Sequence, residues 1–321
     1  MFGRKRPKTN PAASPSLEIH VAISPTPTFA NMVHYLVHSL RTYGGRYRDA
    51  KVVITVGDPK IDRRWERENK WLSANSVEVR WLSEDLYEKQ QYYATAVERF
   101  RYEFDSEMVL MLDADVLIHR PFEDLVLDSY RNQAFYGLIA HVTPLSGEAT
   151  WETIYDSAGL GKPELRHEHT GWGYMFSDSA KRYCPPYFNL GVLCGPAAHM
   201  NAIGSRVYEY MAAVDKVYTT IFKCQLAAGM AVDALGIRYK ELPMRFNFAN
   251  DSNLEALYGE EMIRASILHI LRDHQGVAKN RLYSSLDEVK ALVGRDDLRN
   301  INEMVRRTME TIHPMVLADR A

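Results

Sequence analysis

Short apolar runs alternate with amphipathic stretches from residue 17 onward, and their spacing predicts strands and helices in turn. Leu17–Ile23 alternates as a strand does and is broken by Ser24-Pro25-Thr26-Pro27-Thr28. From Phe29 the apolar residues Met32, Val33, Leu36, Val37 and Leu40 follow a helical period that ends at Gly44-Gly45. Lys51–Val56 reads as a second strand, the charged stretch Asp62–Lys70 as a solvated helix face, and Val77–Leu82 as a third strand. A helix over Tyr87–Phe104, burying Tyr93, Ala96, Val97, Phe100 and Phe104, leads into the next apolar run. This alternation predicts an α/β fold with a doubly wound, mostly parallel sheet. Further on, Tyr187–Leu193 reads as a buried strand, Gly204–Val217 as a helix, and the stretch after Cys224-Gln225 as another helix. Ile267–Leu271 is a last short strand carrying one histidine. Helices are expected from Ser285, with a Ser285–Glu288 capping box, and from about Asp297, where Leu298, Ile301, Val305 and Ile312 pack.

The run Met108–Ile118 is apolar enough for a strand buried on both faces, yet Asp113 and Asp115 interrupt it. Side chains two apart on an extended chain share a face, so the two carboxylates converge. Left uncompensated they repel each other and lose hydration, at a cost of several kcal/mol. A divalent cation at the edge of the sheet, where open α/β folds place ligands, removes that cost. The alternative is a strand that stops at Leu112, with both carboxylates solvated in a turn.

Composition excludes several classes. The 321 residues are 46% hydrophobic and 25% charged with a formal net charge of −2, so no basic face for nucleic acid dominates. No apolar run reaches membrane-spanning length. Cys184, Cys194 and Cys224 are odd in number and form no CxxC pair, which favours reduced thiols and a cytoplasmic location. Residues 1–16 are basic and Pro/Ser-rich without the apolar core of a signal peptide, and are expected to be a disordered tail that touches anionic lipid or a partner at most weakly. No GxGxxG follows the first strand, and Gly159-Leu160-Gly161-Lys162-Pro163 lacks the spacing of a phosphate loop, so it reads as a turn. The long segment 140–186 carries His141, Trp151, His167, His169, Trp172, Tyr174 and Phe176. These side chains suit a polyhydroxylated ligand, or pack the segment onto the sheet. His167-Glu168-His169 lacks further ligands at zinc spacing.

Taken in order, five pieces between about Val21 and His269 resemble glycosyltransferases of the GT-A fold (nucleotide-diphospho-sugar transferases), in the family of glycogenin and the bacterial lipopolysaccharide galactosyltransferases (GT8). They are the strand–loop–helix ending at His38-Ser39-Leu40, the DxD as Leu112-Asp113-Ala114-Asp115, the strand Phe188-Asn189-Leu190-Gly191-Val192, Cys224-Gln225 with Leu242-Pro243 to Phe246-Asn247, and Leu268-His269. The resemblance implies that Asp113, Asp115 and His269 hold Mn²⁺, with Mg²⁺ as the alternative, and that Ala114 sits with them against the donor. An imidazole beside carboxylates favours Mn²⁺. It implies Ser24 and Thr26 at the nucleobase edge, Arg99 (with Arg101 its rival) on phosphate or sugar, Gln225 near the anomeric carbon, and Asn189 beside the donor sugar. The donor would be a nucleotide sugar, a UDP-hexose favoured, whose departing diphosphate a Lewis acid stabilises. The stereochemistry would be retention by front-face displacement, because no carboxylate stands beside Gln225. The sequence does not name the acceptor, and a glycan, a lipid-linked sugar, a small molecule and a protein side chain all remain open.

The chain departs from the family pattern where Cys224 replaces an aspartate and Leu190 a small residue. Gln275 stands where a lysine is expected, so Lys279 serves only if the loop before it bulges. Two other readings compete: a GT-A scaffold that binds without turnover, and a haloacid-dehalogenase-type phosphotransferase, whose motif wants Thr or Val where Leu117 stands. The expected organisation is a tail over 1–16, a transferase domain over 17–280 with 141–186 on the acceptor side, and a helical extension over 281–321. A homodimer through exposed aromatics and the C-terminal helices fits this organisation.

Overall fold

A computed structural model describes residues 14–169 and 183–320. Its strands are β1 (Leu17–Ile23), β2 (Lys51–Val56), β3 (Val77–Trp81), β4 (Met108–Leu112), β5 (Val116–Ile118), β6 (Phe135–Ile139), β7 (His167–Glu168), β8 (Tyr183–Cys184), β9 (Phe188–Pro196), β10 (Tyr239–Glu241), β11 (Phe248–Ala249) and β12 (Ile267–His269). Seven of them form one sheet in the order β10-β6-β9-β4-β1-β2-β3. Within it β4, β1, β2 and β3 run parallel, while β9 lies antiparallel between β4 and β6. Strands β11, β12 and β5 make a second, small sheet.

Helices cover both faces of the large sheet, so its inner strands are buried on both sides while the edge strands β3 and β10 are only partly buried. Met108, Leu110 and Leu112 of β4 face one core with the odd residues of β1 and the helices Pro27–Tyr43 and Asn300–Ala318. Val109 and Met111 face a second core built on helices Ala197–Gly204, Val207–Val217 and Lys223–Ala234. All five β4 side chains are fully buried, each stabilising the fold by roughly 1.5–3 kcal/mol. The C-terminal helix buries Ile301, Val305 and Ile312 in the first core, joined by Leu298 just before it.

Several expected elements are divided or reset. The run Met108–Ile118 is two strands in different sheets, joined by a turn at Ala114-Asp115, so Asp113 and Asp115 do not share one face of a strand. The helix expected over Tyr87–Phe104 is two, Glu84–Gln90 and Tyr92–Glu98, because Gln91 takes φ 55° and ends the first. Phe100 and Phe104 lie beyond it. The helix expected over Gly204–Val217 begins at Val207, and Gly204 instead ends a preceding helix, Ala197–Gly204, that the sequence pattern had not placed. The first helix starts at Pro27, not Phe29, with Thr26 as its N-cap accepting from Phe29 N–H. Ser285 caps its helix on the Glu288 N–H, but the Glu288 carboxylate pairs with Arg281 instead of closing a box. The helix Glu123–Asn132 and β6 occupy a stretch in which the sequence pattern had placed no element.

In segment 140–186, Trp151 is buried in the second core, His167 lies between Glu241 (2.8 Å) and Tyr239 (2.6 Å), and His169 Nδ1 meets Ala140 O at 2.8 Å. Trp172, Tyr174 and Phe176, like residues 1–13 of the tail, lie outside the described residues. Gly159 and Gly161 both hold positive φ, and the chain turns at Ala158-Gly159, as the sequence reading expected.

Candidate functional site

The parallel register sets one edge of the large sheet. Val21 lies beside Leu112 and Ile23 beside Val56, so the loop Ser24–Thr26 and the residue Asp113 leave the sheet at the same carboxyl edge. The antiparallel β9 brings the start of its strand there too: Asp113 N–H donates to Gly191 O at 2.9 Å. Past the turn, β5 pairs with β12, placing His269 opposite Val116, and Ile270 N–H donates to Asp115 O at 2.9 Å. Two sheets thus meet at Asp113-Ala114-Asp115, and the strand histidine arrives from the second.

The ligating atoms of Asp113, Asp115 and His269 all lie within 4.8 Å of one another. The Asp115 side chain is 7% exposed and that of Asp113 41% exposed. His269 Nε2 stands 3.2 Å from Asp115 Oδ1, buried and without an aligned hydrogen bond. Lys279 Nζ contacts the other oxygen of Asp115. Burial alone would raise the Asp115 carboxyl; the charge of His269 and then that of Lys279 overcome it and hold Asp115 well below the usual carboxylate range. Burial works against a charged His269, and Asp115 more than compensates, so its imidazole is raised.

The tautomer of His269 follows from a chain of bonds that begins at the backbone. Gly191 N–H can only donate, and it donates to Asn189 Oδ1 at 2.8 Å. Asn247 Nδ2 donates to the same oxygen at 3.0 Å, which turns Asn247 Oδ1 toward His269 Nδ1 at 2.9 Å. Nδ1 therefore carries a proton, and when the ring is neutral the Nε2 lone pair is what faces Asp115. A buried nitrogen lone pair directed at two carboxylates fits a divalent cation, and the mixed N/O donor set suits Mn²⁺ better than Mg²⁺.

Arg99 is 1% exposed. Its guanidinium donates to Leu112 O at 2.9 Å, Leu190 O at 3.2 Å and Ala96 O at 3.0 Å, and stands 3.5 Å from Asp113 Oδ1. Arg101 instead pairs with Glu98 on the surface. Lys279 reaches the site because Gln275 (φ 52°) and Gly276 (φ 72°) form a tight turn closed by the bridge His274–Val277. Asn250 holds that loop, its Oδ1 accepting from Leu271 and Arg272 N–H and its Nδ2 donating to Arg272 O and Val277 O.

Ser24 and Thr26 share the edge with Asp113, with Thr26 Oγ1 engaged as the helix cap. Asn189 sits under His269 through Asn247. Gln225 is half-buried on the helix Lys223–Ala234, next to Cys224. The Cys224 thiol points to Tyr93 O at 3.7 Å, and burial pushes it up to about 12, Lys223 and Arg99 opposing. Sequence reasoning gave no role to Gly191, Asn247 or Asn250. The available signal for the two asparagines was a pair of amides in an otherwise apolar stretch, Phe246–Asn250, which burial obliges to bond.

Residues 21–228 match the family model of the Rhodobacterales glycosyltransferase domain. No curated protein sequence matches the chain. Among solved structures, the bifunctional glycosyltransferase WbbM superposes with a TM-score of 0.51 at 10% identity, covering 94% of this chain and 53% of WbbM. The chain thus spans about half of that protein. The galactosyltransferase LgtC, in complex with donor and acceptor sugar analogues, gives a TM-score of 0.50 at 15% identity over 81% of this chain and 90% of its own. An active-site mutant of LgtC gives 0.51 at 14% identity over 92% and 95%. At these identities the likeness shows the fold, which is GT-A.

Proposed function

The chain belongs to the Rhodobacterales glycosyltransferase domain family, and on that premise we propose that it moves a hexose from a nucleotide sugar, a UDP-hexose favoured, to a glycan, lipid-linked or small-molecule acceptor. The observation that carries the reading is the meeting of Asp113, Asp115 and the Nε2 of His269 at one point of the sheet edge. Those three would hold Mn²⁺, or Mg²⁺ less well. When bound, the cation supplies Lewis-acid stabilisation of the departing nucleoside diphosphate.

The remaining roles fall to this chain's own groups. Lys279, 35% exposed at the rim, would turn from Asp115 to the diphosphate and neutralise charge there. Buried Arg99 holds the Asp113 carboxylate in place and adds a positive field beneath the donor. Asn189 and Asn247 fix the His269 ring. Ser24 and Thr26 border the nucleobase and Gln225 the anomeric carbon. The acceptor hydroxyl would bond to that carbon from the face the phosphate leaves, and its proton would pass to the departing phosphate oxygen, giving retention. A cytoplasmic setting accords with three buried, unpaired thiols; among the described residues no helix is long and apolar enough to cross a membrane.

Thermal-shift titration with UDP- and GDP-sugars tests the reading: stabilisation should need both nucleotide and Mn²⁺. Asp115→Ala should abolish the Mn²⁺-dependent part, and an unchanged nucleotide affinity would remove the metal role. NMR of the released sugar reads the stereochemistry. The buried thiol at position 224, in place of a carboxylate beside Gln225, favours one rival, a scaffold that binds without turnover; binding with no transfer or hydrolysis would select it.

A further inference from the structure

A second cluster of ligating side chains lies apart from the site above, on the face of the first helix turned toward the end of the C-terminal helix. His34 and His38 are four residues apart on Pro27–Tyr43, one turn along the same face. Their Nε2 atoms stand 2.9 and 2.8 Å from one oxygen, Asp319 Oδ2, just past the end of the C-terminal helix. The ligating atoms of the three residues all lie within 4.8 Å of one another. We propose that His34, His38 and Asp319 form a binding site for a borderline divalent cation of the Zn²⁺ class, fastening the C-terminal helix to the first helix.

Three features support a cation here over a plain hydrogen-bonded knot. The ring of His34 is preset: it is fully buried and stacked on Trp71 with centroids 4.2 Å apart and planes 9° apart. Ligand atoms around tetrahedral zinc, at about 2.0–2.1 Å from the metal, are about 3.3 Å apart, so shifts of about half an ångström separate the present arrangement from a coordinating one. Asp319 also borders a cleft of about 1050 Å³ lined by Asn31, Trp71, Ser285 and Arg320, which leaves room for water as a further ligand. Two imidazoles and one carboxylate select Zn²⁺, Co²⁺ or Ni²⁺ over Mg²⁺ or Ca²⁺. This separates the cluster from the oxygen-richer pair at Asp113 and Asp115.

The test uses the full chain after EDTA treatment, titrated with Co²⁺ and followed by the visible bands of the ligated ion, with Zn²⁺ as competitor. His38→Gln and Asp319→Asn are measured in parallel, each checked for native circular dichroism so that one soluble variant suffices. The expected result is a visible band that Zn²⁺ displaces, with Co²⁺ affinity falling at least ~100-fold in either variant. The stabilisation by Mn²⁺ and nucleotide should stay as in the parent, which keeps this test independent of the proposed transfer activity. A wild-type chain with no Co²⁺ band, or variants whose titrations superimpose on it, would overturn the site and leave a metal-free hydrogen-bonded clasp.

Discussion

Adding one methyl group at Gly191 tests whether the His269 ring is held where a metal needs it. No ligand is changed by Gly191→Ala. The new Cβ would lie 2.6 Å from His269 Cε1, 2.7 Å from Asn189 Oδ1 and 3.0 Å from His269 Nδ1. Carbon atoms rest at about 3.5–4.0 Å, so the ring must withdraw by roughly 0.9 Å. Gly191 does not occupy the left-handed region, so the cost is steric. Metal–ligand distances tolerate about 0.2 Å, which makes such a retreat equivalent to losing the imidazole. The same methyl group presses on Asn189 Oδ1, the first acceptor in the chain of bonds that sets the tautomer.

Mn²⁺ affinity is therefore expected to fall about 10- to 100-fold, or about 1.4–2.7 kcal/mol. Turnover should fall by about 10² from the misplaced site, and stability in EDTA by about 1–3 kcal/mol from overpacking. Electron paramagnetic resonance of free Mn²⁺ measures the first directly. Gly259→Ala is the control, because a Cβ there meets nothing within 4 Å. A folded Gly191→Ala protein that binds Mn²⁺ within twofold of the parent would refute the reasoning, since the ring would have moved without consequence.

Other outcomes follow from single observations. Lys279→Met removes the ammonium competing for Asp115, so affinity for Mn²⁺ alone should rise while affinity for a nucleoside diphosphate falls about tenfold or more; calorimetric titration of each ligand separates the two, and parallel losses would count against the exchange. Burial holds the imidazoles of His34 and His119 down at about 4. As pH falls below about 6.5 the unfolded chain takes up those protons and the native state does not, so stability should drop between pH 6.5 and 4. Urea midpoints at pH 7.5, 6 and 5 in EDTA check this, and a rising midpoint would contradict it. Burial also pushes the thiols of Cys184, Cys194 and Cys224 up to about 12, so an aromatic disulfide reagent at pH 8 should label none of them in the native chain; rapid labelling of one would expose an error in the second core.

The strands were legible where both faces are buried, because an apolar run then has no other explanation. The predicted β1 and β2 match the structure to the residue, and β3 to within one. Legibility failed where hydrophobicity continues through a change of partner. Val116–Ile118 is as apolar as Met108–Leu112, and nothing in its pattern shows that it leaves the large sheet to pair with β12. Backbone conformations outside the usual regions were equally silent. Gln91 divides a helix, and Gln275 with Gly276 makes the turn that carries Lys279 back to Asp115. That turn is what brings Lys279 against Asp115, a contact no local pattern announces.

The acidic pair shows the same limit from the other side. Convergence of Asp113 and Asp115 was expected from the pleat of one strand, whereas the structure achieves it by a turn between two sheets, with Asp115 in the interior and Asp113 at the rim. The turn does more than a strand would. It lets β12 dock against the far side and deliver His269, an imidazole whose own strand pattern is equally consistent with simple packing. What favours a ligand role over simple packing for this histidine is the direction of one proton. That direction is set by Gly191 N–H through two amides, each link resting on the last. The identity of the two acids could be read from the chain, but the orientation of the base depends on contacts among residues 58 and 22 positions apart. No local pattern encodes such contacts, and the fold must form before the site acquires its chemistry.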